Sequence, residues 1–96
     1  MSDLEKNNFN SKFEGYTGNK VKNSNLQSLL NNVKIYATEV KIDELTGEIV
    51  INLNKDTQAP VSIDEAVSKI DTTKSYNVNL EYDSNNIANK VTIKAN

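Results

Sequence analysis

The side chains with the clearest potential for chemistry are carboxylates in two short clusters of the sequence. Asp43, Glu44 and Glu48 surround a predicted turn, and Asp64 and Glu65 are adjacent. Paired carboxylates can act as general acid and base when their surroundings separate their pKa values. The alternative interpretation is structural. The first cluster keeps a surface turn in contact with water, and the second lies in the first turn of a helix, where negative charge is favoured. Because a small, thin domain offers no predicted deep cleft, we predict no catalytic residue and no enzymatic activity.

Three residue types that build most active sites, His, Cys and Arg, do not occur in the sequence. The chain therefore cannot assemble Ser-His-Asp or Cys-His nucleophilic systems, thiolate or imidazole metal sites, or guanidinium clamps on phosphate. Its glycines, Gly15, Gly18 and Gly47, match neither a P-loop nor a dinucleotide-binding fingerprint. Lys69 or Lys74 would need burial to become an activated amine, and the sequence does not indicate it. We predict no cofactor.

Two loop segments rich in oxygen ligands, NLNKD at 52–56 and DSNN at 83–86, raise the possibility of calcium binding. Neither segment has the spaced acids and glycine of a calcium-binding loop, and Asn and Asp are ordinary turn residues, so no metal site is predicted. The chain has 11 basic and 13 acidic side chains. Because no segment combines a dense basic patch with aromatic residues, we do not expect nucleic acid as a partner.

The first segment predicts a short amphipathic helix. Ser2 and Glu5 have the spacing of a capping box, and Gly15 and Gly18 supply a stop. Half of the six aromatic residues lie in this otherwise polar stretch. We expect its apolar face to pack on the core, and an exposed patch that awaits a partner is the alternative. The face comprises Leu4, Phe9, Phe13 and Tyr16.

The clearest helix follows in SNLQSLLNNV, where Ser24 and Gln27 form a second predicted capping box. Its apolar residues at helical spacing are Leu26, Leu29, Leu30, Val33 and Ala37. Its end is uncertain, because Val33 and Ile35 could also begin a strand.

From Val40 the apolar period changes to two. Residues 40–53 predict a hairpin with a four- or five-residue loop around Thr46 and Gly47. Ser62 and Glu65 predict a third capping box and a short helix. Its apolar side comprises Ile63, Ala66, Val67 and Ile70.

A second hairpin is predicted at the carboxyl end of the chain. YNVNLEY alternates apolar and polar residues, DSNN forms the turn, and Val91 and Ile93 continue the alternation. The order of elements predicts a single α+β domain over residues 1–96, with about four antiparallel strands in two hairpins, two N-terminal helices and one short helix between the hairpins. We expect the helices on one face of the sheet and water on the other.

The segments FNSKFEGYTGNKV and LQSLLNNV, with the Tyr-rich closing hairpin, resemble a loosely defined group of small single-pass membrane proteins of low-GC Gram-positive bacteria. Phe9, Asn10, Phe13, Tyr16 and Gly18 match the FN-x-x-F-x-x-Y-x-G pattern of that group. The resemblance implies an extracytoplasmic domain beside a membrane helix, in a layout similar to type IV pilin-like subunits. The chain contains no apolar run long enough to be that helix. We interpret the Met-Ser-Asp start as one from which an upstream segment has been removed.

The leading hypothesis is a non-enzymatic interaction or structural domain at the cell surface, attached to the membrane only through a segment that this sequence lacks. The alternatives are a type IV pilin-like filament subunit, which self-associates, and a soluble cytosolic or phage-encoded adaptor that binds a protein partner through a sheet edge. We predict the interaction surface in two loops and at the edge of the final hairpin. The loop residues are Asp56, Thr57, Gln58, Pro60, Asp83, Ser84, Asn85 and Asn86.

Overall fold

Both helices and antiparallel strands occur along the chain in the computed structural model, which describes residues 2–96. The described residues form three helices and five strands. In chain order the elements are α1 (Asp3–Glu14), β1 (Gly18–Val21), α2 (Asn23–Val33), β2 (Ala37–Ile42), β3 (Ile49–Leu53), α3 (Asp64–Ser68), β4 (Tyr76–Tyr82) and β5 (Ala88–Ala95).

The five strands form one antiparallel sheet in the order β1-β4-β5-β3-β2. The predicted α+β class and both predicted hairpins are confirmed, but the sheet has one strand more than we expected. That strand, β1, lies where the sequence indicated only a helix stop. Its residues Gly-Asn-Lys-Val show no alternation of apolar and polar types, and only Val21 is buried.

The hydrophobic core lies between one face of the sheet and the helices. Period-two alternation directs Ile49, Ile51 and Leu53 of β3 into the core, and Val91 and Ile93 of β5 lie beside them. The opposite face carries mainly polar side chains, such as the paired residues Asn79 and Thr92. The prediction of one wet sheet face is thus confirmed.

The aromatic residues of α1 fix that helix to the core. The ring centroids of Phe9 and Phe13 are 5.1 Å apart, and that of Phe9 is 4.9 Å from the ring of Tyr36. Both pairs have edge-to-face geometry, the arrangement that aromatic quadrupoles favour. Phe9 and Phe13 are buried and Tyr16 is partly buried against the core, which confirms the packing prediction. The prediction was wrong for Leu4, whose side chain is 69% exposed.

The first predicted capping box is confirmed and the second is wrong. The Glu5 N–H donates to Ser2 Oγ at 3.2 Å at the start of α1. Helix α2 begins at Asn23, before the predicted cap Ser24, and has no side-chain cap. Gln27 instead donates through Nε2 to the Asn23 side chain at 3.1 Å, because both residues already lie within the helix and are four positions apart.

The later boundaries also differ in part from the sequence prediction. Helix α2 ends at Val33, so Ala37 belongs to β2, although it is buried as expected. Helix α3 has Ile63 at its N-cap position, and Ser62 Oγ accepts the N–H of Asp64 at 3.2 Å. The predicted bond between Ser62 and Glu65 is therefore replaced by a local turn. In the described part of the chain, no helix combines the length and the apolar character that crossing a membrane requires.

Candidate functional site

Asp43, the first candidate for acid–base chemistry, serves the turn of the first hairpin. Its Oδ1 accepts the N–H of Leu45 at 2.8 Å and of Thr46 at 3.1 Å. These backbone hydrogen bonds, with the Thr46 bond the larger cause, lower the pKa of Asp43 below its ordinary value of 3.8. A carboxyl held in its ionised form in this way is a poor general acid at neutral pH.

The other acidic candidates separate into two groups. Glu44 and Glu65 line one hollow, whereas Asp64 and Glu48 do not contribute to it. Asp64 and Glu65 are both exposed at the start of α3, as the structural interpretation of this pair predicted. Among residues 2–96 no three acidic groups converge closely enough to hold a metal ion.

The two predicted interaction loops meet at a small hollow. Asp56 and Asp83 both line it, and its volume is about 170 Å³. Asp56 forms an ion pair with Lys55 at 2.8 Å, and Asp83 Oδ1 accepts the Asn85 N–H at 2.7 Å within its own turn. Pro60 lines a different hollow beside α2, and Asn86 lines another beside α1. None of the other loop residues lines the small hollow, and the binding role of all of them stays a prediction: Thr57, Gln58, Pro60, Ser84, Asn85 and Asn86.

The predicted edge of the final hairpin does not exist, because β4 and β5 are central strands. Strand β1 pairs with β4, and β3 pairs with β5. The edges of the sheet are β1 and β2. The sequence indicated four of the five strands, but strand order depends on contacts between segments far apart in the chain.

Of the two edges, β2 is the longer and more regular. β1 has four residues and a register shift between Gly18 and Val21. The carboxyl-terminal Asn96 also covers part of β1, since its side-chain amide donates to the Asn19 carbonyl. β2 has six residues, and its register with β3 is continuous from Glu39 to Ile42.

The register of β2 shows which backbone groups face outward. The Asp43 N–H donates to the Glu48 carbonyl at 2.9 Å, so residue 43 bonds inward, toward β3. Residues of an antiparallel strand alternate between bonding one neighbour and bonding the other. Lys41 therefore also bonds inward, and the N–H and C=O groups of Val40 and Ile42 face outward. Within residues 2–96 no chain segment pairs with these outward groups.

The start of the same edge is closed by the segment before α3. The Val61 N–H donates to the Ala37 carbonyl at 2.9 Å. The open part of the edge is thus limited to the stretch that contains Val40 and Ile42, and Val61 marks its end.

A hollow lies beside this open stretch, on the face of the sheet that carries the helices. Its volume is about 500 Å³ and it is widely open to solvent. Val40, Ile42 and Val61 supply apolar surface, and Val61 is 41% exposed. We call this the edge hollow, and its lining residues are Thr38, Glu39, Val40, Ile42, Glu44, Val61, Ser62 and Glu65.

The arrangement defines a small α+β domain in which an open stretch of the β2 edge lies beside a partly apolar, acidic hollow. Comparisons with protein-family models, curated proteins and solved structures gave no significant match. The sequence carried one signal for this site, the charged pair Glu39 and Lys41 within a strand, because charges in the middle of a strand are typical of sheet edges.

Proposed function

We propose that this protein is a non-enzymatic interaction domain that binds an extended segment of a protein partner by strand addition to β2. The observation that carries the proposal is the set of unpaired backbone groups at Val40 and Ile42 beside the edge hollow. In strand addition, backbone hydrogen bonds give affinity and pockets for alternate side chains give specificity. β2 offers both elements at one place.

Energetic estimates indicate that the edge needs the hollow. The N–H and C=O groups of Val40 and Ile42 can form up to about four hydrogen bonds, each contributing a net ~0.5–1.5 kcal/mol. Together these bonds contribute about 2–6 kcal/mol, which covers only the low end of the ~4–15 kcal/mol cost of association. An aliphatic side chain buried against Val40, Ile42 and Val61 adds ~1.5–3 kcal/mol. The favourable contributions exceed the low end of the cost by at most about 5 kcal/mol, so we expect a dissociation constant of about 0.2 mM or weaker, suited to a reversible contact.

A second copy of the chain fits this edge less well than a different partner. Two β2 strands can pair antiparallel. All the outward N–H and C=O groups of Val40 and Ile42 form hydrogen bonds between the two copies only in the register that is centred on Lys41. That register places Lys41 opposite Lys41 of the second copy and Glu39 opposite Asp43. Like charges directly opposite each other destabilise a sheet. We therefore propose that the partner is a different protein and not a second copy of this chain.

We also propose that the domain lies outside the cell, beside a membrane anchor. This location rests only on the resemblance to small Gram-positive membrane proteins. The filament-subunit and cytosolic-adaptor hypotheses stay predictions. Strand addition at β2 agrees with the adaptor hypothesis in its mode of binding, and it does not depend on the compartment.

Selection of short random peptides on the immobilised protein would test strand addition. Val40→Pro removes an outward N–H at an edge position that tolerates proline, and Val40→Thr retains both backbone groups. We expect the selected peptides to lose binding to Val40→Pro and to bind Val40→Thr within several-fold. Circular dichroism would verify that both variants are folded.

Two results would contradict the proposal. One is equal binding of the selected peptides to the proline and threonine variants. The other uses only the wild-type chain and covers the case in which Val40→Pro does not fold: in an NMR titration, bound peptides would shift amide signals elsewhere and leave those of Val40 and Ile42 unchanged.

A further inference from the structure

The charged residues that line the edge hollow are all acidic. Glu39, Glu44 and Glu65 line it, and no lysine does. Glu39 is already engaged, because its Oε1 accepts a hydrogen bond from Asn52 at 2.9 Å and lies 3.8 Å from Lys41 Nζ. The carboxylates of Glu44 and Glu65 have no hydrogen-bond or ion-pair partner among residues 2–96.

The two free carboxylates come from different elements on the same side of the open edge. Glu44 follows β2 in the hairpin loop, and Glu65 lies in the first turn of α3. Both line the edge hollow together with the apolar residues Val40, Ile42 and Val61. A segment added to β2 therefore meets apolar surface next to negative charge on one of its faces.

Resting on the proposed function, we propose that the bound segment is cationic: an aliphatic side chain enters the edge hollow, and Lys or Arg lies two residues away on either side of it. Alternate residues of a strand point to the same face and are ~6.6 Å apart. A residue at that spacing remains on the side of the hollow, and a long basic side chain can then reach Glu44 or Glu65. The residues in between face the Glu39–Lys41 side of the sheet, where both signs of charge are present.

The expected electrostatic effect is modest because the carboxylates are exposed. Exposed ion pairs change an equilibrium by roughly 1.5- to 5-fold each. We therefore expect each of Glu44→Gln and Glu65→Gln to weaken binding of a cationic segment by about that factor. Added salt should reduce the preference for cationic segments, since it screens exposed charges.

Three blocked peptides would test the charge preference: Lys-Thr-Val-Thr-Lys, and the same sequence with Gln or Glu in place of both Lys residues. Each is titrated into the full chain while the amide signals of Val40 and Ile42 are followed by NMR. We expect the Lys peptide to bind more tightly than the Gln peptide, and the Gln peptide more tightly than the Glu peptide. The differences in affinity between the three peptides should become smaller in the Glu44→Gln/Glu65→Gln double variant. They should remain in Glu48→Gln, a matched change in the same loop but outside the hollow.

The outcomes separate the two proposals. If the three peptides shift the Val40 and Ile42 signals with equal affinity, strand addition stands and the cationic preference is wrong. If none of the peptides shifts these signals, strand addition is contradicted and the inference fails with it. A charge order that persists unchanged in the double variant would assign the preference to another part of the surface and would overturn the role of Glu44 and Glu65.

Discussion

The side chain of Asn10 in α1 accepts a hydrogen bond from the backbone N–H of Ala88, at the start of β5, with a distance of 2.9 Å. The same side chain donates through Nδ2 to the carbonyl of Asn86 at 2.8 Å. Asn10 is only 7% exposed. One amide therefore joins the first helix to the turn of the last hairpin, 76 and 78 positions away in the sequence.

Replacing Asn10 with Ala should destabilise the fold by about 1–3 kcal/mol, because the Ala88 N–H is left buried without a partner. Urea unfolding measures the loss. Asn7→Ala provides the control, since Asn7 is an exposed residue of the same helix, and it should change stability by less than about 0.5 kcal/mol. Equal effects of the two substitutions would show that the buried amide makes no special contribution.

The aromatic cluster makes a second prediction about stability. Phe13 is fully buried, and its truncation in Phe13→Ala should cost about 3–5 kcal/mol through lost burial and the cavity that remains. Leu4→Ala tests the sequence prediction for the same helix face. Because Leu4 is 69% exposed, its truncation should cost less than about 0.5 kcal/mol. A large loss for Leu4→Ala and a small one for Phe13→Ala, measured by thermal unfolding, would contradict this packing of α1 on the core.

The residues whose structure could be predicted are those whose signal is local. Periodicity gave the buried faces of α2 and β3, and the alternation in YNVNLEY gave β4 with its partner β5. The burial of Asn10 could not be predicted from local signals. This residue occurs in a polar stretch, and its burial depends on a turn at the other end of the chain. β1 was missed for the same reason, since it is a strand only through its pairing with β4.

The candidate site could be predicted only as a general type. We predicted binding at the edge of the final hairpin, but this hairpin forms no edge of the sheet, because β1 and β3 cover both of its sides. Nothing in the sequence of the hairpin indicates this. The edge hollow combines β2 with Val61 and Glu65, which lie about twenty residues further along the chain. No spacing rule relates such residues before the fold is known.

Tyr82 and Glu14 form a partly exposed contact whose titration can be measured. The Tyr82 hydroxyl donates to Glu14 Oε1 at 2.8 Å, and burial first and this hydrogen bond second raise the pKa of Tyr82 to about 12. Glu14→Ala removes both the hydrogen bond and the nearby negative charge and should lower that pKa, but burial still raises it above the ordinary value of 10.0. Ultraviolet titration measures it, and subtraction of the Tyr82→Phe curve isolates the signal of Tyr82 from the other tyrosines.

The sign of the related stability effect follows from the raised pKa. The neutral hydroxyl is the favoured form in the folded state, so the contribution of Tyr82 is complete below pH 10 and is lost as pH rises through about 12. Tyr82→Phe should therefore unfold with a flatter pH dependence in this alkaline range. A pKa that does not change in Glu14→Ala would assign the whole shift to burial.

In contrast to the alkaline loss predicted for Tyr82, we predict a loss of stability at acid pH for Asp43. Its pKa is lowered by the N–H groups of Thr46 and Leu45, so its contribution is complete above the unfolded value of about 3.8 and is lost as pH falls through the lower folded value. Asp43→Asn can retain the turn hydrogen bonds but cannot titrate. Between pH of about 5 and about 2, the wild-type chain should therefore lose more stability than this variant.

Asp71 provides a separate case in another turn, since the hydroxyl and N–H of Thr73 lower its pKa. Asp71→Asn should remove the part of the acid-induced loss of stability that Asp71 causes. If the two turns act independently, the double variant Asp43→Asn/Asp71→Asn should remove the sum of the two losses. Urea unfolding across the acid range measures each share. Identical acid profiles for the wild-type chain and both single variants would show that these hydrogen bonds do not select the ionised forms.

Amide hydrogen exchange tests the open edge of β2 without any ligand. The N–H of Lys41 bonds to β3 and should exchange slowly, at a rate set by opening of the sheet, whereas the outward N–H groups of Val40 and Ile42 should exchange rapidly. Val61 is an internal control, because its N–H donates to the Ala37 carbonyl across the closed end of the same edge and should be protected. Slow exchange at Val40 and Ile42 in the free protein would mean that the edge is already paired, by a second copy or by another segment. The strand-addition site would then be occupied before any partner arrives, and the proposal built on it would be wrong.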